Sequence, residues 1–291
     1  MKVPIKRIFL ILCTLATTYS AIAQQDPMFT QYQFNTLIVN PAYAGSRDAL
    51  SIVGISRWQW VGIDGAPITH SITAHAPVKE NLGIGGSLYY DKIGPTNQLL
   101  FFADFAYKLS LSKKTKLVLG IKGGVHSIRN NLTSLEVNDP NFNFNQSELL
   151  PNVGVGAYLH QERFYIGLSA PKLLENNLSS GGDDAQQLRH YFLIAGFVKD
   201  LSENIKFKPT ILTRYVPNTP LVVDLSANFL FWDKLWLGAN YRTRDAIGLV
   251  TQFQFTEKLR AGYAYEYPLS SLSNATEISF CLLYTSDAAD D

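Results

Sequence analysis

Leu221-Val222-Val223-Asp224-Leu225-Ser226-Ala227-Asn228-Phe229-Leu230-Phe231 decides the fold. Leu221, Val223, Leu225, Ala227, Phe229 and Phe231 point one way. Val222, Asp224, Ser226, Asn228 and Leu230 point the other. A period of two is the signature of a strand with one apolar and one wet face. The same rhythm returns along the chain. Ile247, Leu249, Phe253 and Phe255 oppose Gly248, Gln252 and Gln254, and Leu259, Ala261, Tyr263, Tyr265 and Tyr267 oppose Arg260, Gly262, Ala264 and Glu266. Upstream, Leu99, Phe101, Ala103, Phe105 and Tyr107 oppose Gln98, Asp104 and Lys108. Leu117, Leu119, Ile121 and Val125 likewise oppose Lys116, Lys122 and His126. About fourteen such stretches, most of about 9 to 12 residues, lie between Leu50 and Tyr284 and suit a tilted membrane crossing.

The connections alternate. Those at 79–81, 112–115, 161–162, 202–204, 233–234 and 256–258 are short and charged. Between them fall 62–67, 93–97, 130–150, 171–187, 217–220, 243–245 and 268–275, mostly richer in Gly, Pro, Asn and Ser; among these only 243–245 is as tight as a turn. A soluble β-sandwich with Greek-key crossings has no need of such parity. An all-β, transmembrane up-and-down β-barrel of about 14 antiparallel strands does. An even strand number puts both ends and the short turns in the periplasm, with the longer loops outside.

Residues 1–23 read as a signal peptide: Lys2, Lys6 and Arg7, a short apolar core, then Ala21-Ile22-Ala23. Losing those three cations takes the net charge from +1 to −2, which argues against a nucleic-acid partner. Only Cys281 would remain of the two cysteines, so no disulfide framework is expected. The mean hydropathy of +0.01 and the absence of a long apolar run in the mature chain exclude a helical membrane protein.

Residues 24–48 do not alternate and are expected to form an N-terminal, non-barrel plug or periplasmic segment. Residues 49–284 form the barrel, and 285–291 a tail. Tyr89, Tyr90, Tyr107, Trp232, Trp236, Tyr241, Tyr265 and Tyr267 lie near strand ends, where membrane-interface belts or ordinary strand packing would use them. Lys116, Lys122, Lys206, Lys208, Arg214, Arg242 and Arg260 share the inward face with Asp104, Asp224, Glu266 and Glu277. Paired, these charges would hold a lumen wider than side chains alone fill.

Nothing points to catalysis, and no cofactor or metal is expected. His70 and His75 face opposite sides of a strand, and Ser71 beside His70 points away from it. Asn138-Asp139-Pro140-Asn141 lacks calcium-loop spacing and reads as an Asx-turn. Gly83, Gly85 and Gly86 sit in strand alternation and suit bending or close packing within the barrel, rather than a phosphate loop.

Specific strings add a resemblance. Residues 25–35 (QDPMFTQYQFN) and 39–46 (VNPAYAGS) are similar to the N-terminal hallmark of the PorP/SprF family. The similarity continues through LGIGG at 82–86, DPNF at 139–142, GVGAY at 154–158 and FYIGLSAPKLL at 164–174. The resemblance implies an outer-membrane barrel of the type IX secretion and gliding system. Implied partners are a secreted protein held or exported through its type IX C-terminal domain, periplasmic or peptidoglycan-linked secretion components, and membrane lipids. The family barrels end near a terminal aromatic. Here Cys281 to Asp291 resembles translated sequencing-adapter read-through and is read as non-native.

The reading favoured is a non-enzymatic anchor. Loops 130–150 and 171–187 are expected to meet the secreted partner, with Asp139, Phe142, Phe144 and Leu149 as contact residues, because loops on a rigid scaffold carry recognition. Tyr32, Phe34, Asn40, Pro41 and Tyr43 are expected to set the N-terminal segment in place. The alternatives are a passive channel or small-solute transporter, told apart by an open lumen, and a structural barrel with no specific partner.

Overall fold

The computed structural model describes residues 30–47, 49–135, 145–176, 187–269 and 277–287. Fifteen strands follow the alternating stretches. The first eight are β1 (Ala49–Trp58), β2 (Ile68–Lys79), β3 (Leu82–Ile93), β4 (Thr96–Ser110), β5 (Lys116–Asn130), β6 (Gln146–His160), β7 (Phe164–Ala170) and β8 (Tyr191–Phe197). Then come β9 (Lys199–Ser202), β10 (Ile205–Tyr215), β11 (Val222–Phe231), β12 (Leu235–Arg242), β13 (Ala246–Gln254), β14 (Leu259–Pro268) and β15 (Glu277–Asp287). Sequential strands pair antiparallel, save that β8 and β9 both pair with β10 and not with each other. β10 also pairs with β11, and β15 with β1, so the sheet closes on itself. The four-residue β9 continues β8 past Val198 and pairs with the same partner, β10, so the closed wall has fourteen staves. Closure removes the sheet edges that lipid cannot satisfy.

The two faces obey the parity read from sequence. Leu99, Phe101, Phe105, Leu119, Ile121, Val153, Val155, Leu168, Leu225, Leu249 and Phe253 stand exposed on the outside. Continuous apolar cover of this extent is incompatible with water and matches a lipid-facing band. Asp104, Lys122, Asn152, Asp224, Asn228, Asn240, Arg242, Gln252 and Glu266 are buried in the lumen.

The structure departs from expectation in three places. β4, β5 and β6 each run 15 residues, longer than the crossing requires, and their long-loop ends are polar (Thr96, Asn97, Gln98, Arg129, Asn130, Gln146 and Glu148), as extension past the membrane demands. Tyr89 and Trp236 are not belt residues. Parity turns both into the lumen, where Tyr89 packs on Val53 and Ile55 and Trp236 on Phe34. Tyr90, Tyr107, Trp232, Tyr241, Tyr265 and Tyr267 do face outward. Finally, strand pairing continues through Thr285, Ser286 and Asp287, opposite Ser51, Leu50 and Ala49.

Candidate functional site

Residues 30–47 lie inside the barrel, in the half nearer the short turns. Three 3-10 turns, Tyr32–Phe34, Thr36–Ile38 and Pro41–Tyr43, compact them. The backbone satisfies itself where it can: Phe34 N–H donates to Gln31 O at 3.0 Å, Val39 N–H to Thr36 O at 3.1 Å, and Ala44 N–H to Pro41 O at 3.1 Å. The wall satisfies much of the rest. Lys122 Nζ donates to Leu37 O (3.4 Å), Ser169 Oγ to Val39 O (2.6 Å), and Gly45 N–H donates to His75 Nδ1 (3.2 Å).

Asn40 is the pivot of the segment. Its side chain accepts from Ala42 N–H at 3.0 Å, capping the turn that Pro41 opens, and donates to Ala157 O (3.1 Å) and Leu168 O (3.4 Å) on two strands. Tyr32 Oη meets Ser226 Oγ at 3.3 Å, and Gln33 exchanges two amide bonds with Asn228 at 3.1 and 2.8 Å. Burial, with Asp224 adding to it, pushes the Tyr32 hydroxyl well above the usual tyrosine range, so it stays protonated. Phe34 stands edge-on to Trp236 with centroids 5.7 Å apart, and Tyr43 edge-on to both His75 (5.4 Å) and Tyr158 (5.6 Å). Phe34 thus grips a different part of the wall from Tyr32 and Tyr43, which share one hydrophobic cluster.

Glycines make this seating possible. A Cβ on Gly83 would strike Ala44 O, on Gly120 the backbone of Ala42, and on Gly156 the Asn40 side chain. Gly45, at φ +69°, brings its Cα against Gly83 from the other side. Sheet and segment touch backbone to backbone, which only glycine permits.

Beyond the segment, toward the long loops, the lumenal charges are cross-linked. Lys122 Nζ is 3.0 Å from Asp104 Oδ1. Arg242 reaches Asp224 (3.0 Å), Asp245 (3.1 Å) and Glu266 (3.2 Å), and Arg57 lies 3.6 Å from Glu266. The two ends of loop 171–187 also turn inward. Asn152 Oδ1 accepts from Leu173 N–H (3.0 Å) and Leu174 N–H (3.2 Å), its Nδ2 donates to Leu174 O (3.0 Å), and Pro171, Lys172 and Gln187 are buried. A cavity of about 80 Å³ remains between this collar and the segment, bounded by Tyr32, Val39, Asp91, Phe102, Lys122 and Lys172.

Of the residues expected to contact a partner, Asp139, Phe142 and Phe144 lie outside the described residues. Leu149 stands in β6, two-thirds exposed on the outer face with Val153 and Val155, and not in a loop. Tyr32, Phe34, Asn40 and Pro41 are buried and Tyr43 half-buried, all inside the barrel. Arg57, Asp91 and Asn152 were not singled out from sequence. Parity alone would have placed Arg57 and Asp91 inward, whereas the role of Asn152 depends on a loop end folding back. Among the described residues, no cluster of three or more His, Cys, Asp or Glu could hold a metal ion.

A closed antiparallel sheet with an apolar outer band and a polar, internally filled lumen defines an outer-membrane β-barrel. The family model described as type IX secretion system membrane protein PorP/SprF matches residues 21–285, and the chain belongs to that family. No curated protein matches it. Among solved structures, the outer membrane protein Omp33 of Acinetobacter baumannii is similar at 9% identity over 82% of this chain and 98% of its own, with a TM-score of 0.52. The toluene transporter TodX of Pseudomonas putida is similar at 11% identity over 87% and 93%, with a TM-score of 0.50. At such identities the likeness shows the fold, an outer-membrane barrel.

Proposed function

We propose that this barrel is an anchor of the type IX secretion and gliding apparatus, not an enzyme and not an open pore. It holds or helps export a secreted surface protein through that protein's C-terminal domain. The observation that carries this reading is the filled lumen. Residues 30–47 occupy it, bonded to staves on every side, which leaves rims and loops as the working surfaces. The longer loops, outside the cell, meet the secreted partner through Asp139, Phe142 and Phe144. The N-terminal segment and the short turns face the periplasmic or peptidoglycan-linked components.

The test is affinity purification from the native host after gentle detergent extraction, with mass spectrometry of what is retained. A large exported protein carrying a type IX C-terminal domain is expected, and it should be lost when residues 131–145 and 177–186 are replaced by short linkers. Unchanged retention after both deletions would refute the loop assignment.

A second reading, a gated channel, draws on the seam around the segment. Gln31 Nε2, Asn35 Nδ2, Ser71 Oγ and Gln252 Oε1 are buried there without a protein hydrogen-bond partner. Such groups demand water, and a hydrated seam lets a segment move.

A further inference from the structure

The ionisable residues of the lumen are distributed unevenly along the barrel axis. On the long-loop side of the segment they are cross-paired, as in the Lys122–Asp104 and Arg242–Asp224–Glu266 groups. On the short-turn side cations gather at lumen-facing positions. Lys108 pairs with buried Val118, Lys116 with His160, Lys208 with buried Asn228, Lys206 with Leu230 one inward step further on, and Arg260 with buried Leu283. Cross-strand partners share a face, so all five surround the mouth, with Arg47 of the internal segment among them. The short turns also carry six carboxylates, Glu80, Glu162, Asp200, Glu203, Asp233 and Glu257, against those six cations and seven further lysines and arginines of the same turns and strand ends. Asp200 stands opposite Lys206 and binds Arg163 at 2.5 Å, and Lys206 binds Asp233 at 2.6 Å.

Aromatic rings and an amide hold part of this charge in place. Lys208 Nζ lies 5.7, 5.6 and 6.0 Å from the ring centroids of Phe34, Tyr165 and Trp236. Arg260 stacks on the same Trp236 at 5.8 Å and donates to Gln254 Oε1 at 2.7 Å. A ring's quadrupole orients a cation without cancelling its charge. Concentrating like charges costs stability, and a concave rim of low dielectric focuses their field.

We infer that the short-turn mouth of the barrel is a docking site for an acidic polypeptide segment. The cations face the barrel axis rather than the lipid-facing wall, so headgroups of the surrounding leaflet do not reach them. They are spread over β4, β5, β10 and β14, a spacing suited to an extended polyanion. Trp236 and Tyr165, both half-buried, add an apolar floor. The inference deepens the proposed function, resting on the reading that this rim meets the secretion machinery, and names the chemistry of that contact.

The test uses the purified full chain in detergent micelles and a fluorescein-labelled poly-glutamate peptide, followed by anisotropy, with a poly-lysine peptide as control. Saturable, salt-sensitive binding of the glutamate peptide alone is expected. Lys108→Gln/Lys116→Gln, and separately Arg260→Gln, should weaken it by about tenfold. Lys92→Gln/Arg129→Gln at the opposite rim should leave it unchanged. Retention of the heat-dependent gel shift of a folded barrel verifies each variant. Equal binding by the mouth variants, or loss of binding in the opposite-rim variant, would overturn the assignment. Displacement of the peptide by phosphatidylglycerol vesicles would also overturn it in favour of a lipid surface. Loop deletion leaves this measurement intact, so failure of the mouth and failure of the loop contact are separable.

Discussion

Asn40 and Gly120 show how much hangs on single side chains. Asn40 makes a cap and two links to the wall while fully buried. Its replacement by Ala leaves two strand carbonyls and an amide without that partner and should cost about 1–3 kcal/mol, read by urea unfolding in liposomes. Gly120→Val adds atoms where Ala42 already lies. The expected outcome is a folded barrel with a displaced N-terminal segment, seen as faster protease cleavage within residues 30–47 and a loss of about 1–3 kcal/mol. Lys122→Leu strands the buried Asp104 carboxylate and should cost about 3–5 kcal/mol, whereas Asp104→Leu/Lys122→Leu should recover most of it. A double variant as unstable as the single one would contradict the pairing argument.

At the scale of elements, the wall is regular and its exceptions have local causes. At the end of β2 a bulge between Pro77 and Lys79 turns Lys79 to the side of Leu82, off the lumenal face. The break at Val198 divides one stave into β8 and β9, yet Val198 N–H still donates to Arg163 O at 2.8 Å, so the wall stays bonded. The ends of the loop after β7 owe their inward course to Asn152, which satisfies two amides and a carbonyl at once. Asn152→Ala should free this collar. The measurement is limited proteolysis at residues 171–176, expected to accelerate while cleavage in the short turns does not change.

For the molecule as a whole, the internal segment decides what the barrel does. A fourteen-stave wall encloses more space than its own side chains fill, and the chain fills the short-turn half with its own residues 30–47. In planar bilayers the mature chain should therefore conduct little or not at all. A variant lacking residues 24–46 should open steps of stable conductance with its barrel intact. Comparable conductance before and after the deletion would remove the anchor reading in favour of the channel.

Much of this was legible in the chain because lipid imposes a strict rule. One face must be apolar and the backbone must close on itself, so a period of two carries parity, stave number and the direction of nearly every side chain from Ser51 to Glu266. Gly83 was readable as a site of bending or close packing, but not what packs there, and the same service by Gly120 and Gly156 came only with the tertiary structure. Periodicity did not choose between lumen and periplasm for residues 30–47, name what Trp236 and Tyr89 would pack on once turned inward, or show that cations would gather at one mouth. Those outcomes depend on contacts between residues as distant as Gln33 and Asn228. A local pattern records which way a side chain points, while only closure of the barrel determines what it meets on the far wall.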